Sequence, residues 1–255
     1  MSSLLTRRKL VVGSVATVAS ATAVGAAVHF AGRYGLIPPD HTGILGVGKT
    51  LTYASQRLLT SSQALAREFQ RSDISAVHPV NGLPPETDMY RDWLASGFDG
   101  WQLTVDGLVA RPMSFSLPEL RALPAETRIT LHACEEGWSY IAEWTGVRLS
   151  QVLELAGIRP EARYIVFTPF ENSNTVVSRV LWSSIDMAEA LHPQTMLAYG
   201  MNGENLPAGH GAPVRLRLAR QLGYKNTKYL HRITVIDDMD AANDPARRGP
   251  WYGGI

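Results

Sequence analysis

Cysteine is almost absent: Cys134 is the single thiol in 255 residues. No intramolecular disulfide framework can form, and no C-x-x-C-H haem attachment exists. Excess charge of either sign is missing too, with 24 basic against 23 acidic side chains and a formal net charge of +1. A near-neutral chain has no general electrostatic drive toward nucleic acid, and nucleic-acid partners are set aside. No internal repeat occurs, and no low-complexity tract lies beyond the N-terminal stretch. With 18% charged and 45% hydrophobic residues, the composition excludes intrinsic disorder, collagen and coiled coil. A folded chain of this length buries roughly 70–75% of its extended surface, enough to stand without staples.

The first segment is Leu5-Thr6-Arg7-Arg8-Lys9-Leu10, a twin-arginine pair followed by an uncharged Ala/Val/Gly/Ser/Thr stretch from Leu10 to Phe30. It resembles a twin-arginine export signal, because a membrane-spanning helix normally carries more Leu, Ile and Phe. Residues 1–32 are therefore expected to be a signal or anchor, and the periplasm is the expected location. Retention at the inner membrane stays open, since Ala19-Ser20-Ala21 and Val24-Gly25-Ala26 are only passable cleavage sites. Export by this route carries proteins already folded, often around a cofactor.

Residues 33–100 read as a wrapping arm with Pro38-Pro39 and Pro84-Pro85 and one amphipathic helix around Leu58 to Phe69. Residues 101–255 read as the core. Strands are expected at Trp101–Val105, Arg128–Leu131, Tyr164–Phe167, Thr175–Val180, Val214–Leu218 and His231–Ile236, several alternating in period two. Short helices punctuate them: Ser116 and Glu119 are spaced as a capping box, and Leu149 to Ala156 is stopped by Gly157. The predicted class is α+β and mostly β, with helices too few and short for a doubly wound sheet.

Two clusters carry chemistry. Cys134 lies in Leu131-His132-Ala133-Cys134-Glu135-Glu136-Gly137-Trp138-Ser139, where a polar run implies a turn at a strand end. A lone cysteine can be a small buried hydrophobe, a nucleophile activated by a base such as His132 or His210, or a soft metal ligand. Glu135 and Glu136 disfavour a free thiolate, and a metal would offset them. The second cluster runs from Leu197 to Pro207, through Gly209-His210-Gly211-Ala212-Pro213-Val214-Arg215, to Gly223-Tyr224-Lys225-Asn226-Thr227-Lys228-Tyr229. Small polar residues between basic ones suit an anion, although a solvated hairpin rim would look similar for Lys225 and Lys228. Zinc chelation by His132, His192, His210 and His231 is weak, because no pair has a short zinc-ligand spacing.

Several blocks in order then carry a resemblance: Cys134-Glu135-Glu136-Gly137-Trp138-Ser139, Trp144-Thr145-Gly146-Val147-Arg148-Leu149, Leu197-Ala198-Tyr199 through Asn202-Gly203-Glu204, and His210 to Arg215. From about Asn81 onward the chain resembles the molybdopterin domain of the sulfite oxidase family, especially its small exported bacterial branch, which includes the periplasmic methionine-sulfoxide reductases. The resemblance implies a sulfite-oxidase-type fold and a molybdenum-molybdopterin cofactor. It places Cys134 as the molybdenum ligand, His210 and Arg215 on the pterin phosphate, and Asn226, Thr227 and Lys228 on a second contact segment. It places Asn81 on the cofactor from the arm and Glu171 at a position usually Asp or Thr. Trp251-Tyr252-Gly253-Gly254 resembles the segment that brings a tyrosine, here Tyr252, to the substrate.

The family's sulfite oxidisers carry an arginine where this chain has Trp138. An indole cannot neutralise a dianion, so a neutral oxo compound such as a sulfoxide is expected. No counterpart of the animal and plant dimerisation domain is seen, so a monomeric catalytic subunit is expected, with a separate redox partner for which a membrane haem protein is a candidate. The alternatives are a cysteine-nucleophile hydrolase or transferase and a non-catalytic exported binding protein on the same fold.

Overall fold

Two five-stranded sheets build the protein, and the second is lined with apolar side chains on both faces. The computed structural model describes residues 63–170 and 182–238, with five further helical positions, Gly48, Leu51, Ala54, Ser55 and Leu59. The chain divides into two units, Met1–Ser61 and Ser62–Ile255, and the second carries both sheets. The expected signal, the expected strand Thr175–Val180, Glu171 and Tyr252 lie outside the described residues.

The first sheet comprises β1 (Gln102–Gly107), β2 (Met113–Ser116), β5 (Tyr164–Pro169), β6 (Ser183–Asp186) and β10 (Leu230–Ile236), in the order β2-β1-β10-β5-β6. Only β1 and β10 run parallel. The second sheet comprises β3 (Ala125–Ala133), β4 (Ser139–Arg148), β7 (Thr195–Met201), β8 (Glu204–Asn205) and β9 (Arg215–Leu218), in the order β3-β4-β7 with β8 and β9 both on β7. The helices are short: α1 (Asp88–Ala95), α2 (Leu117–Ala122), α3 (Leu149–Ala156) and α4 (Met187–Ala190). This mixed, mostly β architecture is the expected class.

Local chemistry sets the boundaries. Ser116 and Glu119 form the expected capping box at α2, and α3 ends where Gly157 takes φ 70°, a left-handed value that costs glycine nothing. The helix expected across Leu58–Phe69 is not formed over 63–69, which hold no helical residue. Edge pairing captures this stretch: Glu68 bridges Thr130, and Phe69 N–H donates to Ile129 O at 2.9 Å. Gln194 supplies a side-chain imitation of a strand, its Oε1 accepting from Ala66 N–H at 2.7 Å and its Nε2 donating to Ala66 O at 3.0 Å.

Period-two alternation in the second sheet decides where a site can lie. Val147 of β4, Leu197 and Tyr199 of β7, and Leu216 and Leu218 of β9 enter the main core, with α3 and Leu103, Val105, Ile165, Phe167, Ile233 and Val235 of the first sheet. Each fully buried side chain there stabilises by about 1.5–3 kcal/mol. Their neighbours point the other way: Tyr140, Ala142, Trp144, Met196, Ala198 and Met201 form a second cluster, with Trp138 packed against it. The residues 75–83 lie over that outer face, Ser75 N–H donating to Ile141 O at 3.0 Å.

Candidate active site

Cys134 begins the tight turn joining β3 to β4. Its N–H donates to Trp138 O at 2.9 Å, and Gly137 N–H returns to Cys134 O at 3.1 Å. The thiol is buried. Asn81 Nδ2 reaches its Sγ at 3.9 Å, and Sγ lies 3.4 Å from Glu135 Oε2. Burial pushes the Cys134 thiol up, and the Glu135 carboxylate adds to the rise. A free thiolate is therefore disfavoured in the protein alone, and no histidine bonds the sulfur among the described residues. The nucleophile reading lacks its base.

Behind the turn, β9 points Arg215 and Arg217 onto the same face. Arg215 is 3% exposed and donates through Nη1 to His210 O at 3.0 Å and through Nη2 to Asn226 O at 3.2 Å. Arg217 is 1% exposed and donates to Leu218 O, Asn226 Oδ1, Thr130 Oγ1 and Leu131 O. Both lie against the Trp144 ring, 5.1 and 5.3 Å from its centroid. Neither has a carboxylate partner among the described residues. Two buried cations without an anion are costly, and such an arrangement is retained where a ligand brings the negative charge.

The remaining cations and donors gather round them. Lys228 Nζ donates to Asn81 O at 2.6 Å and to Gly209 O at 2.9 Å, and burial, helped by the Arg215 charge, lowers its ammonium to about 8. Gly211 must be glycine, because a Cβ would stand 2.7 Å from Lys228 Cβ and its φ is 107°. His210 lies with Nδ1 3.5 Å from Tyr140 Oη. Burial and then Arg215 depress it to about 4, so it is neutral at pH 7. His132 is driven still lower by burial and the two arginines.

Of the residues expected from sequence, Asn81 contacts Cys134 and Lys228, and Arg215 contacts His210 while its charge acts on Lys228. Asn226 and Thr227 make side-chain bonds within the protein. Asn226 Oδ1 accepts from Arg217 and from Leu218 N–H, while Thr227 Oγ1 pairs with Ser183 Oγ at 2.6 Å. They shape the loop that carries Lys228. His132, His192, His210 and His231 do not gather: no three His, Cys, Asp or Glu side chains could jointly hold a metal among the described residues. Sequence reasoning misses Arg217 and Tyr140, although the alternation Arg215-Leu216-Arg217-Leu218 already places both guanidiniums on one face.

Four buried polar atoms of this face have no protein partner: Arg215 Nε, Arg217 Nε, Trp144 Nε1 and His132 Nδ1. Unpartnered buried donors beside uncompensated cations suit a large, acceptor-rich anion, and a pterin bearing a phosphate fits that description. A single thiolate also suits a metal whose other soft ligands come from the cofactor itself.

Residues 92–243 match the family described as the oxidoreductase molybdopterin binding domain. The chain belongs to that family, as the sulfite-oxidase-type resemblance implied, and it is a molybdopterin-class oxidoreductase. It is 36% identical over 199 residues, 78% of this chain and 71% of the relative, to an Azospira oryzae protein provisionally named protein-methionine-sulfoxide reductase subunit YedZ1. It is 35% identical over 147 residues to the protein-methionine-sulfoxide reductase catalytic subunit MsrP of Xanthomonas campestris, and 36% over 145 residues to that of Ralstonia nicotianae. These matches take 54% of this chain, which spans only 46% and 44% of the two catalytic subunits. Among solved structures, the sulfane dehydrogenase SoxCD of Paracoccus pantotrophus aligns with a TM-score of 0.50 and 26% identity, over 54% of this chain and 38% of that one.

Proposed function

We propose that the protein is an exported molybdenum-molybdopterin enzyme that removes an oxygen atom from a small sulfoxide, drawing electrons from a separate redox protein, of which a membrane haem protein is one candidate. The observation that carries this reading is the lone buried thiol of Cys134 placed beside an uncompensated cationic face. The named relatives favour a sulfoxide, and Trp138, where the family's sulfite oxidisers have an arginine, disfavours a dianion. The balance is sulfoxide plus two electrons and two protons to thioether plus water.

When bound, the cofactor supplies a two-electron redox couple and an open position for oxygen. Cys134 would ligate the metal as thiolate, its lost proton being the cost that the metal offsets. Arg215, Lys228 and His210 would hold the phosphate end with charge-assisted and neutral hydrogen bonds. Asn81 closes over the sulfur from the arm and tunes it by hydrogen bonding. Arg217, gripped by Thr130, Leu131, Leu218 and Asn226, ties β9 to β3 behind the turn. Tyr252 and Glu171 are proposed contacts to substrate and cofactor from the sequence resemblance alone.

Elemental analysis of protein from a host that makes molybdopterin and exports by the twin-arginine route tests the reading, with Cys134→Ser alongside. One molybdenum per chain, sulfoxide-dependent oxidation of a reduced dye, and an altered metal spectrum in the variant are expected. Full activity in Cys134→Ser would remove the ligand assignment, and folded protein free of molybdenum would sink the whole reading.

A further inference from the structure

The arm places one more polar group beside the cationic face. His78, half-buried and three residues before Asn81, sets its ring edge-on to Tyr140 at 5.2 Å and to His210 at 6.5 Å between centroids. Its protonation pattern can be deduced from its partner. Asn202, in the β7–β8 turn with φ 53°, is clamped to β4: its N–H donates to Glu143 O at 2.9 Å, and its Oδ1 accepts from Glu143 N–H at 2.9 Å. The amide therefore cannot flip, and the group it turns to His78 is Nδ2, a donor, which lies 3.2 Å from His78 Nε2. An imidazole nitrogen facing a donor must be the acceptor, so the proton of neutral His78 is on Nδ1. No described residue accepts from Nδ1, and His78 is only half-buried, so this N–H is open to a ligand.

We propose that His78 is a cofactor-binding residue contributed by the arm, its Nδ1–H donating to an anionic oxygen at the phosphate end of the pterin, with Asn202 acting as the positioning residue that keeps the proton on Nδ1. The proposal rests on the cofactor reading above. It adds a donor from the arm to those of His210, Arg215 and Lys228, and it gives Asn202 of the β7–β8 turn a role through its bond to His78.

The test exploits shape. Asparagine can place its amide N–H near the position of Nδ1, glutamine near that of Nε2, and phenylalanine keeps the ring while removing every donor. Full-length His78→Asn, His78→Gln and His78→Phe proteins are loaded with cofactor, and pterin release is followed by its fluorescence under dilution. Release roughly ten-fold faster in the Phe and Gln variants, with His78→Asn near wild type, is expected for one lost hydrogen bond to a charged group. A packing role predicts the reverse order, Phe best and Asn worst, and that order or no change in any variant would overturn the proposal. Nitrogen-15 shifts of His78 in the unloaded protein provide a second readout that does not depend on cofactor. A proton on Nδ1 is expected, and one on Nε2 would overturn it even if a variant failed to fold. Wild-type protein that binds no pterin would overturn the cofactor reading and this proposal together, whereas loaded wild type with indifferent variants overturns this proposal alone.

Discussion

Arg215 and Arg217 face the same indole: their guanidinium carbons lie 5.1 and 5.3 Å from the centre of the Trp144 ring. They are nevertheless committed differently. Arg217 donates to four acceptors on β3, β9 and Asn226, whereas Arg215 binds two backbone carbonyls of the surrounding loops. Arg215→Ala is expected to lower cofactor affinity by about 1.5–3 kcal/mol while the fold persists. Arg217→Ala strands buried acceptors and is expected to lower folding stability by about 1–3 kcal/mol; lysine cannot reproduce its fork. Urea unfolding of the unloaded variants beside their pterin content checks the split, and equal losses in both measurements for both variants would contradict it.

Lys228 gives the site a pH signature. Burial first and the Arg215 charge second hold its ammonium near 8. An anion arriving opposite it raises that value, so binding favours the protonated form. Below pH 8 the unloaded protein already carries the charge and affinity is full. Above it, a proton must be recruited and affinity falls until the pKa of the loaded form is passed. Cofactor release compared at pH 7 and pH 9.5 should accelerate in wild type, whereas Lys228→Gln should release faster at pH 7 and change little with pH.

Much of the fold and of the site is legible in the sequence, and the gaps have physical causes. Tyr164–Phe167 and His231–Ile236 alternate because one face meets the core and the other does not. By contrast β7, Thr195–Met201, is buried along its whole length, so it shows no alternation and carries no strand signal. The stretch 63–69 carries apolar residues at spacings that suit a helix, but its backbone is held by the β3 edge and by Gln194, distant partners that a local pattern cannot reveal. In the site, Cys134 and Arg215 stand out through chemistry and resemblance. Arg217 is hidden because four of its bonds go to β3, β9 and Asn226, and His78 because its significance depends on Asn202, 124 residues away.

Four histidines make the native state acid-sensitive in a defined direction. Burial comes first among the causes that lower His132, His192, His210 and His231, and His210 is held at about 4. In the unfolded chain each titrates near 6.5. Between pH 6.5 and about 4 the unfolded chain therefore binds more protons, and native stability falls as the pH drops through that window. The urea midpoint of the unloaded protein should decrease from pH 7 to pH 4.5, and His210→Gln should flatten part of that slope. A midpoint that rises on acidification would show that these imidazoles are not buried in their neutral form.

Gly146 tests how closely two strands of the second sheet are allowed to approach. The register of β4 on β7 shifts between Thr145 and Gly146, and there the strands approach so closely that a Cβ on Gly146 would stand 2.1 Å from Leu197 O and 2.7 Å from Ala198 Cα. Both are backbone atoms of a central strand, which cannot rotate aside as a side chain can. Just before the shift Trp144 sits on the site face, and just after it Val147 enters the main core, so the bulge joins the two. Gly146→Ala must push β7 away from β4, separating Leu197 from the core and Ala198 from Trp144. A loss of about 1–3 kcal/mol or more is expected from overpacking, with pterin content falling alongside because Arg215 and Arg217 are carried by β9, which pairs with β7. Thermal denaturation and pterin fluorescence of the variant measure both. An unchanged midpoint would mean that the strands part at little cost, and that the bulge does not hold the site.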